Sequence, residues 1–429
     1  MIGAVIAVGI FLSVMPLAAQ NAAASSMKHS QNTNIVKHGD IMKIDKNLPA
    51  GNIKVVEYRD HLVIIEEEAR DCREGWFYWK FRAIFNEPGK WTFRFTNSSK
   101  VGARGPAVSR DKGKSWEWLT VGQPAHAQEF VYECREPGEV WFCQGLPYLQ
   151  EDWDRFAKEY SGHPAFHLST LCRSRKGRNV ELLEVREGNP QRTILLTARH
   201  HCQEMAASMV LEGILRFVLA PTPEGEKFRR EFALFVVPFT DKDGVEEGDQ
   251  GKGRKPRDHA RDYLGKHIYP ETAAIRQLIE KHRPFLVMDL HCPWIRFGDH
   301  NEIPYFVENQ VERFHPEFDR ISRLLEQEAP ACAPFSHQNM LHWGSGWNSP
   351  DNYNGKKSPS GAGLNLTSAC GEYPFVKLGA SMEIPFANFG EKNHDTEGIP
   401  GIRIGHCQNH FALRRRTEVN LIWIFPEDG

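Results

Sequence analysis

The nine cysteines of this 429-residue chain include no CxxC pair. Cys72, Cys134, Cys143, Cys172, Cys202, Cys292, Cys332, Cys370 and Cys407 are scattered, which excludes a structural zinc ribbon and a disulfide scaffold. Cys134 and Cys143 bracket an expected hairpin and are the pair an oxidising compartment would join. The odd total leaves at least one thiol unpaired within the chain. Surplus charge is also missing. The formal net charge is −2 and no basic run is interleaved with aromatics, so neither nucleic acid nor an anionic membrane is an expected partner. No apolar stretch beyond the N-terminus is long enough to span a bilayer. Repeats and low-complexity tracts are absent. What remains is ordinary globular material, 41% hydrophobic and 25% charged, with enough length to bury a sizeable core. At roughly 150 residues per domain it suggests two or three domains.

The first residues stand apart. MIGAVIAVGIFLSVMPLAAQNAAASS opens apolar and ends in small residues, as a secretory signal over residues 1–24 would. It lacks a Lys or Arg before the apolar run, so an uncleaved membrane anchor or a mis-assigned start is the alternative. No Cys follows closely enough to take a lipid. Export to the periplasm or the exterior is the expectation.

A polar linker is expected over 25–49. Short aromatic and β-branched runs follow to about residue 147: HLVIIEEE, WFYWKFRAIF, WTFRFTN, EFVYECR and EVWFCQG, separated by NEPGK, RDKGK and REPGE. They predict a small antiparallel β-sandwich over 50–147. Seven of the eleven tryptophans lie between Trp76 and Trp153, as core and cross-strand pairs or as a carbohydrate platform. From 148 to 429 the pattern changes. EDWDRFAKEY has helical spacing, and apolar strands then alternate with helices: TILLTA, the helix 205–220, FALFVVP, the helix 270–282, FLVMDL, FDRISRLLEQEA, ASMEIPFA and a closing helix in NHFALRRRTEVNLIWIF. This predicts an α/β domain with a mostly parallel mixed sheet flanked by helices.

Ligands of open α/β sheets bind beyond the carboxyl ends of the strands. TILLTA runs into RHHCQE, FLVMDL into His291 and KLGASM into Glu383, so one sheet edge gathers His201, Glu204, His291 and Glu383. His201 and Glu204, spaced i, i+3 at the turn into a helix, can converge on one ion. A third ligand at His291 completes two His and one Glu, with an open position suited to hydrolysis. The plainer alternatives are a loop histidine, a glutamate favoured at a helix start, and a hydrogen-bonded histidine at a strand end. His200 rivals His201 as the ligand. Cys202 and Cys292 adjoin the proposed ligands as small apolar fillers or as redox-sensitive thiols.

Taken in order, ARHHCQE, VPFTDKDGV, GRKPRDHARDY, VMDLHCPW and ASMEIPF resemble the successive motifs of zinc metallocarboxypeptidases of the carboxypeptidase A type. The aromatic β-region, with GPAVSRDKGKSW and LPYLQEDWDRFAKEY, is similar in layout to the cytosolic-carboxypeptidase-like branch and its bacterial relatives. The resemblance spans about residues 50–425 and implies one Zn²⁺ held by His201, Glu204 and His291. It also implies Glu383 as the base that activates water, Arg254 as the group that polarises the carbonyl and Arg261 as the grip on a substrate's terminal carboxylate. The implied substrate is a peptide or protein C-terminus.

Two departures bear on specificity. Ala260 stands where the family has an asparagine, which removes a hydrogen bond to the carboxylate worth about 1.5–3 kcal/mol. The family's mobile tyrosine is matched by region only, at Tyr353 in the Gly/Ser-rich stretch NSPDNYNGKKSPSGAG. A surface-loop tyrosine is the alternative there, as a solvated basic loop is for Arg254. The functions in play are a zinc carboxypeptidase, a zinc amidase or deacylase on a small amide or cell-wall peptide, and a binding protein on a decayed catalytic fold.

Overall fold

Alternation of large apolar and polar residues builds two sheets in the first part of the chain. The computed structural model describes residues 41–386 apart from 73–75, 98–99, 103, 120–127, 296–300, 302, 330–333 and 357–361. Strands β1 (Met42–Asp45), β4 (Lys80–Phe85), β9 (Gly138–Cys143), β6 (Ala107–Ser109) and β7 (Glu117–Trp118) form a five-stranded sheet in that order. Strands β2 (Lys54–Arg59), β3 (Leu62–Glu66), β5 (Gly89–Phe95) and β8 (Glu129–Cys134) form a four-stranded one. Every second residue of β5 and β8 is buried: Trp91, Phe93 and Phe95, then Phe130, Tyr132 and Cys134. These meet Phe81 and Phe142 of the other sheet, with ring centroids 5.6 Å apart for Phe81–Phe93 and 5.3 Å for Phe130–Phe142. The two sheets therefore share one aromatic core.

Several details differ from the sequence expectation. Part of the expected linker is strand β1, which pairs with β4. The pairing is not uniformly antiparallel, since β3 and β5 run parallel. The strands carrying Cys134 and Cys143 are not a hairpin: β8 pairs with β5 and β9 with β4, so the chain crosses between sheets. Both thiols are free. Trp79, Trp91, Trp118 and Trp153 are buried, which favours the core reading of the tryptophans over a platform.

Helix α1 (Gln150–Tyr160) leads into a seven-stranded sheet. Its order is β10 (Phe166–Arg173), β11 (Asn179–Val185), β13 (Phe232–Val237), β12 (Arg192–Ala198), β14 (Leu286–His291), β16 (Leu378–Glu383) and β15 (Tyr305–Val307). The inner strands β13, β12, β14 and β16 are parallel, and the outer pairings are antiparallel. The parallel strands are apolar along both faces because helices cover both sides. Helices α2 (Met205–Leu219) and α3 (Pro223–Glu231) connect β12 to β13; α4 (Lys242–Glu247) and α5 (Pro270–His282) lie between β13 and β14. Helix α6 (His315–Glu328) lies between β15 and β16. Among the described residues no single helix is long and apolar enough to cross a membrane. The expected signal segment and the closing helix lie outside the described residues.

Register sets the functional edge. Ala198 at the end of β12 pairs with Leu290, and His291 at the end of β14 pairs with Glu383 at the end of β16. The chain leaving β12 is held by Arg199, whose φ of 64° is the left-handed region that a non-glycine residue enters at a cost. Its buried guanidinium offsets that cost by donating to the Cys202 and Tyr148 carbonyl oxygens and to Ser208 Oγ.

Glu271 gives a stability prediction. Its place in the first turn of α5 suits a carboxylate, yet the side chain is buried, Oε2 has no hydrogen-bond partner among the described residues, and burial raises the group from 4.5 to about 7. The folded state then binds more protons than the unfolded state between those values, so this group's contribution falls as pH rises through that window. Urea denaturation of Glu271→Gln should show a gain of about 1–2 kcal/mol over wild type near pH 8 and little gain near pH 5. An equal difference at both pH values would contradict the assignment.

Candidate metal centre

The turn between β12 and α2 carries His201 and Glu204, and the end of β14 brings His291 to them. Glu204 is the N-cap residue of α2, but its side chain makes no capping hydrogen bond. It turns instead to the histidines: Oε1 lies 2.8 Å from His201 Nδ1 and Oε2 lies 2.8 Å from His291 Nδ1. All three residues are buried.

The other imidazole nitrogens have partners the sequence did not reveal. His201 Nε2 lies 3.1 Å from Asp258 Oδ1, and His291 Nε2 lies 2.7 Å from Asp289 Oδ2. An ionised carboxylate only accepts, so each Nε2 is the donor and each Nδ1 of a neutral ring carries a lone pair. Both lone pairs therefore face the Glu204 carboxylate, which is itself an acceptor. Only protons or a cation can reconcile three acceptors at these distances. The protein field favours positive charge there. Burial works against protonating His201 and His291, but Glu204 and Asp258 raise the first and Asp289 and Glu204 raise the second. Burial likewise opposes ionisation of Glu204, and the two histidines overcome it and bring the group down to about 2. Two nitrogens and a carboxylate that converge, each ring oriented by an aspartate, are a donor set that fits zinc.

His200 resolves differently. It forms a second potential cluster with Asp289 and His291. Both its nitrogens are taken, Nδ1 at 2.8 Å from Asp289 Oδ1 and Nε2 at 2.7 Å from the Tyr263 hydroxyl. Thr197 Oγ1 donates to the same Asp289 oxygen at 2.7 Å. His200 thus orients Asp289, which orients His291.

Glu383 is buried beside this cluster, and its Oε2 has no hydrogen-bond partner among the described residues. Burial pushes its carboxyl up to about 7; His291 opposes the shift and the Glu204 charge adds to it. A carboxyl near neutrality can both take and return a proton.

The expected arginines separate. Arg254 Nη2 lies 2.5 Å from Asp241 Oδ2 and Nη1 lies 2.9 Å from Asp249 Oδ2, with Asp71 Oδ2 at 3.6 Å. Its guanidinium is engaged by carboxylates behind the metal turn, a geometry that speaks against the carbonyl-polarising role. Arg261 is buried with Nε unpartnered, and it makes no carboxylate ion pair among the described residues. Its guanidinium lies 4.4 Å from the centre of the Tyr353 ring. Tyr353 ends a short helix, and its hydroxyl donates to Asn348 Oδ1 at 3.2 Å. Ala260 is buried, and its amide donates to Asp258 at 2.8 Å. Burial raises both Cys202 and Cys292 well above the usual thiol range, which favours inert filler over reactive thiols.

Residues 150–265 match the zinc carboxypeptidase family model. Cytosolic carboxypeptidase 2 of Xenopus tropicalis is 27% identical over 188 residues, covering 40% of this chain and 19% of that protein. An uncharacterized protein of Zymomonas mobilis is 24% identical over 375 residues, covering 85% of this chain and 91% of its own. The chain spans from about a fifth to about half the length of the cytosolic carboxypeptidases it matches. A metallo-carboxypeptidase from Pseudomonas aeruginosa superposes with a TM-score of 0.67 at 20% identity, over 86% of this chain and 96% of that one. One from Burkholderia cenocepacia gives 0.64 at 17%, over 80% and 90%. Residues 150–265 are thus similar to the zinc carboxypeptidase family, and the chain has the fold of the bacterial metallo-carboxypeptidases.

Proposed function

We propose that the protein is a zinc-dependent metallocarboxypeptidase that hydrolyses the last peptide bond of a peptide or protein chain. The observation that supports it best is the convergence of His201 Nδ1, His291 Nδ1 and the Glu204 carboxylate, with both rings held from behind by aspartates. One Zn²⁺ held by these residues supplies Lewis acidity, acidifying water and polarising a carbonyl. Glu383 takes a proton from the attacking water as its oxygen bonds to the carbonyl carbon. It then delivers that proton to the departing nitrogen as the C–N bond breaks. Arg261 has the donors to grip a terminal carboxylate, and the Tyr353 ring keeps its guanidinium in place. The N-terminal apolar segment supports export of the enzyme.

Ala260 favours a second reading. Where an asparagine amide would contact the substrate's carboxylate, this chain has a methyl group. A zinc amidase or deacylase acting on a small amide or cell-wall peptide needs no such contact.

Paired substrates decide between them. Hydrolysis of free-acid peptides should exceed that of their C-terminal amides, and Arg261→Ala should raise KM about 10–100-fold with a smaller effect on kcat. Equal cleavage of acids and amides would reject the exopeptidase reading. Glu383→Gln should lower kcat by about 10²–10⁴-fold while metal analysis finds the same zinc content; unchanged turnover would remove Glu383 from the chemistry. Asp289→Asn should weaken zinc binding about 10–100-fold in a competition titration with a chromogenic chelator, because it loosens His291. Undiminished affinity would show that the aspartate does not orient the ligand.

A further inference from the structure

With Arg254 tied to aspartates, the place of a side-chain cation facing the negative charge that develops on a carbonyl oxygen is open to another residue. The loop from Asp249 to Arg254 runs against the metal turn. Gly251, at φ 76°, packs so closely that a Cβ there would stand 2.6 Å from the Cys202 amide nitrogen and 3.1 Å from the His201 carbonyl carbon. Gly253 donates its amide at 2.9 Å to Oδ2 of Asp258, the carboxylate that orients His201. Lys252 sits between these anchors. It is half-buried and makes no ion pair among the described residues, and its charge is felt at His201, Asp258 and Glu383.

The loop is fixed from the β-sandwich side. Asp71 accepts the Gln250 amide at 2.9 Å and the Gly251 amide at 2.7 Å, and its carbonyl accepts the Lys255 amide at 2.8 Å. The Gln250 side chain bonds both backbone groups of Tyr78, at 3.0 and 2.9 Å. The segment preceding β4 therefore clamps both sides of Lys252.

We propose that Lys252 is the catalytic cation that stabilises the oxyanion formed when water adds to the scissile carbonyl, and that Asp71 is the positioning residue that fixes its loop. This rests on the hydrolase reading above. An ammonium without a carboxylate partner among the described residues, whose charge reaches the water-activating glutamate, has that charge free for the substrate. A preorganised donor at such a position is worth most when charge develops. The N-terminal sandwich then forms part of the catalytic machinery.

The test uses the zinc-loaded full chain with a peptide substrate, a phosphinic pseudopeptide that mimics the tetrahedral anion, and the product peptide as a ground-state ligand. Lys252→Met should lower kcat/KM by about 10²–10³-fold and weaken the phosphinic ligand by a similar factor. Zinc content and product affinity should stay the same. Lys252→Arg should recover most of the loss. Asp71→Asn keeps the volume but offers one acceptor oxygen. It should cost less than Lys252→Met and add little in the Lys252→Met background, because the two act through one group. If the wild type hydrolyses peptides and Lys252→Met matches it within about threefold on both substrate and phosphinic ligand, the assignment of Lys252 fails alone. Multiplying losses in the double variant would refute the link to Asp71. A zinc-loaded wild type that cleaves no peptide or amide overturns the hydrolase reading and this proposal with it.

Discussion

A buried carboxylate faced by two imidazole lone pairs is the constraint on which the rest of the site depends. Glu204 reaches Nδ1 of both His201 and His291, and a neutral ring whose Nε2 proton goes to an aspartate has no proton to turn toward it. Asp258 and Asp289 thus do more than orient rings. They fix the tautomer that makes the centre electron-rich and starved of donors. Such an arrangement is costly when dry and uncompensated, and a divalent cation relieves all of it at once.

The sheet makes this convergence rigid. Neighbouring parallel strands β12, β14 and β16 end at the same edge, so residues distant in sequence arrive within one layer of register. Arg199 then bends the chain through a left-handed residue and anchors the turn on three backbone and side-chain acceptors. Tyr263, His200 and Asp289 continue the support as a buried hydrogen-bonded chain ending on His291. The β-sandwich is joined to the same apparatus, because Asp71 and Tyr78 hold the loop that packs on the backbone of His201 and Cys202. Two structural layers thereby support one cluster.

Much of this was legible because it depends on local pattern. Apolar runs such as TILLTA and FLVMDL announce strands buried on both faces, and the polar residues that break them mark the sheet edge. The spacing of His201 and Glu204 likewise carries its own geometry. What escaped depends on tertiary partners. Nothing in the sequence distinguishes Asp289, two residues before His291, from any polar strand residue until His200 is folded against it. Arg254 and Lys252 lie in one basic loop, and only the positions of Asp241 and Asp249 show that the arginine is consumed by ion pairs. The supposed hairpin around Cys134 and Cys143 failed for a similar reason: a short turn can join strands of different sheets as easily as neighbours. Strand β1 is too short to show a period.

The central claim is the place of the ion, and anomalous diffraction at the zinc absorption edge from a crystal of the zinc-loaded protein tests it most directly. The account predicts one peak bounded by Nδ1 of His201, Nδ1 of His291 and the Glu204 carboxylate, with Asp258 and Asp289 behind the rings. A peak between His200 and Asp289, or none within reach of Glu204, would contradict it.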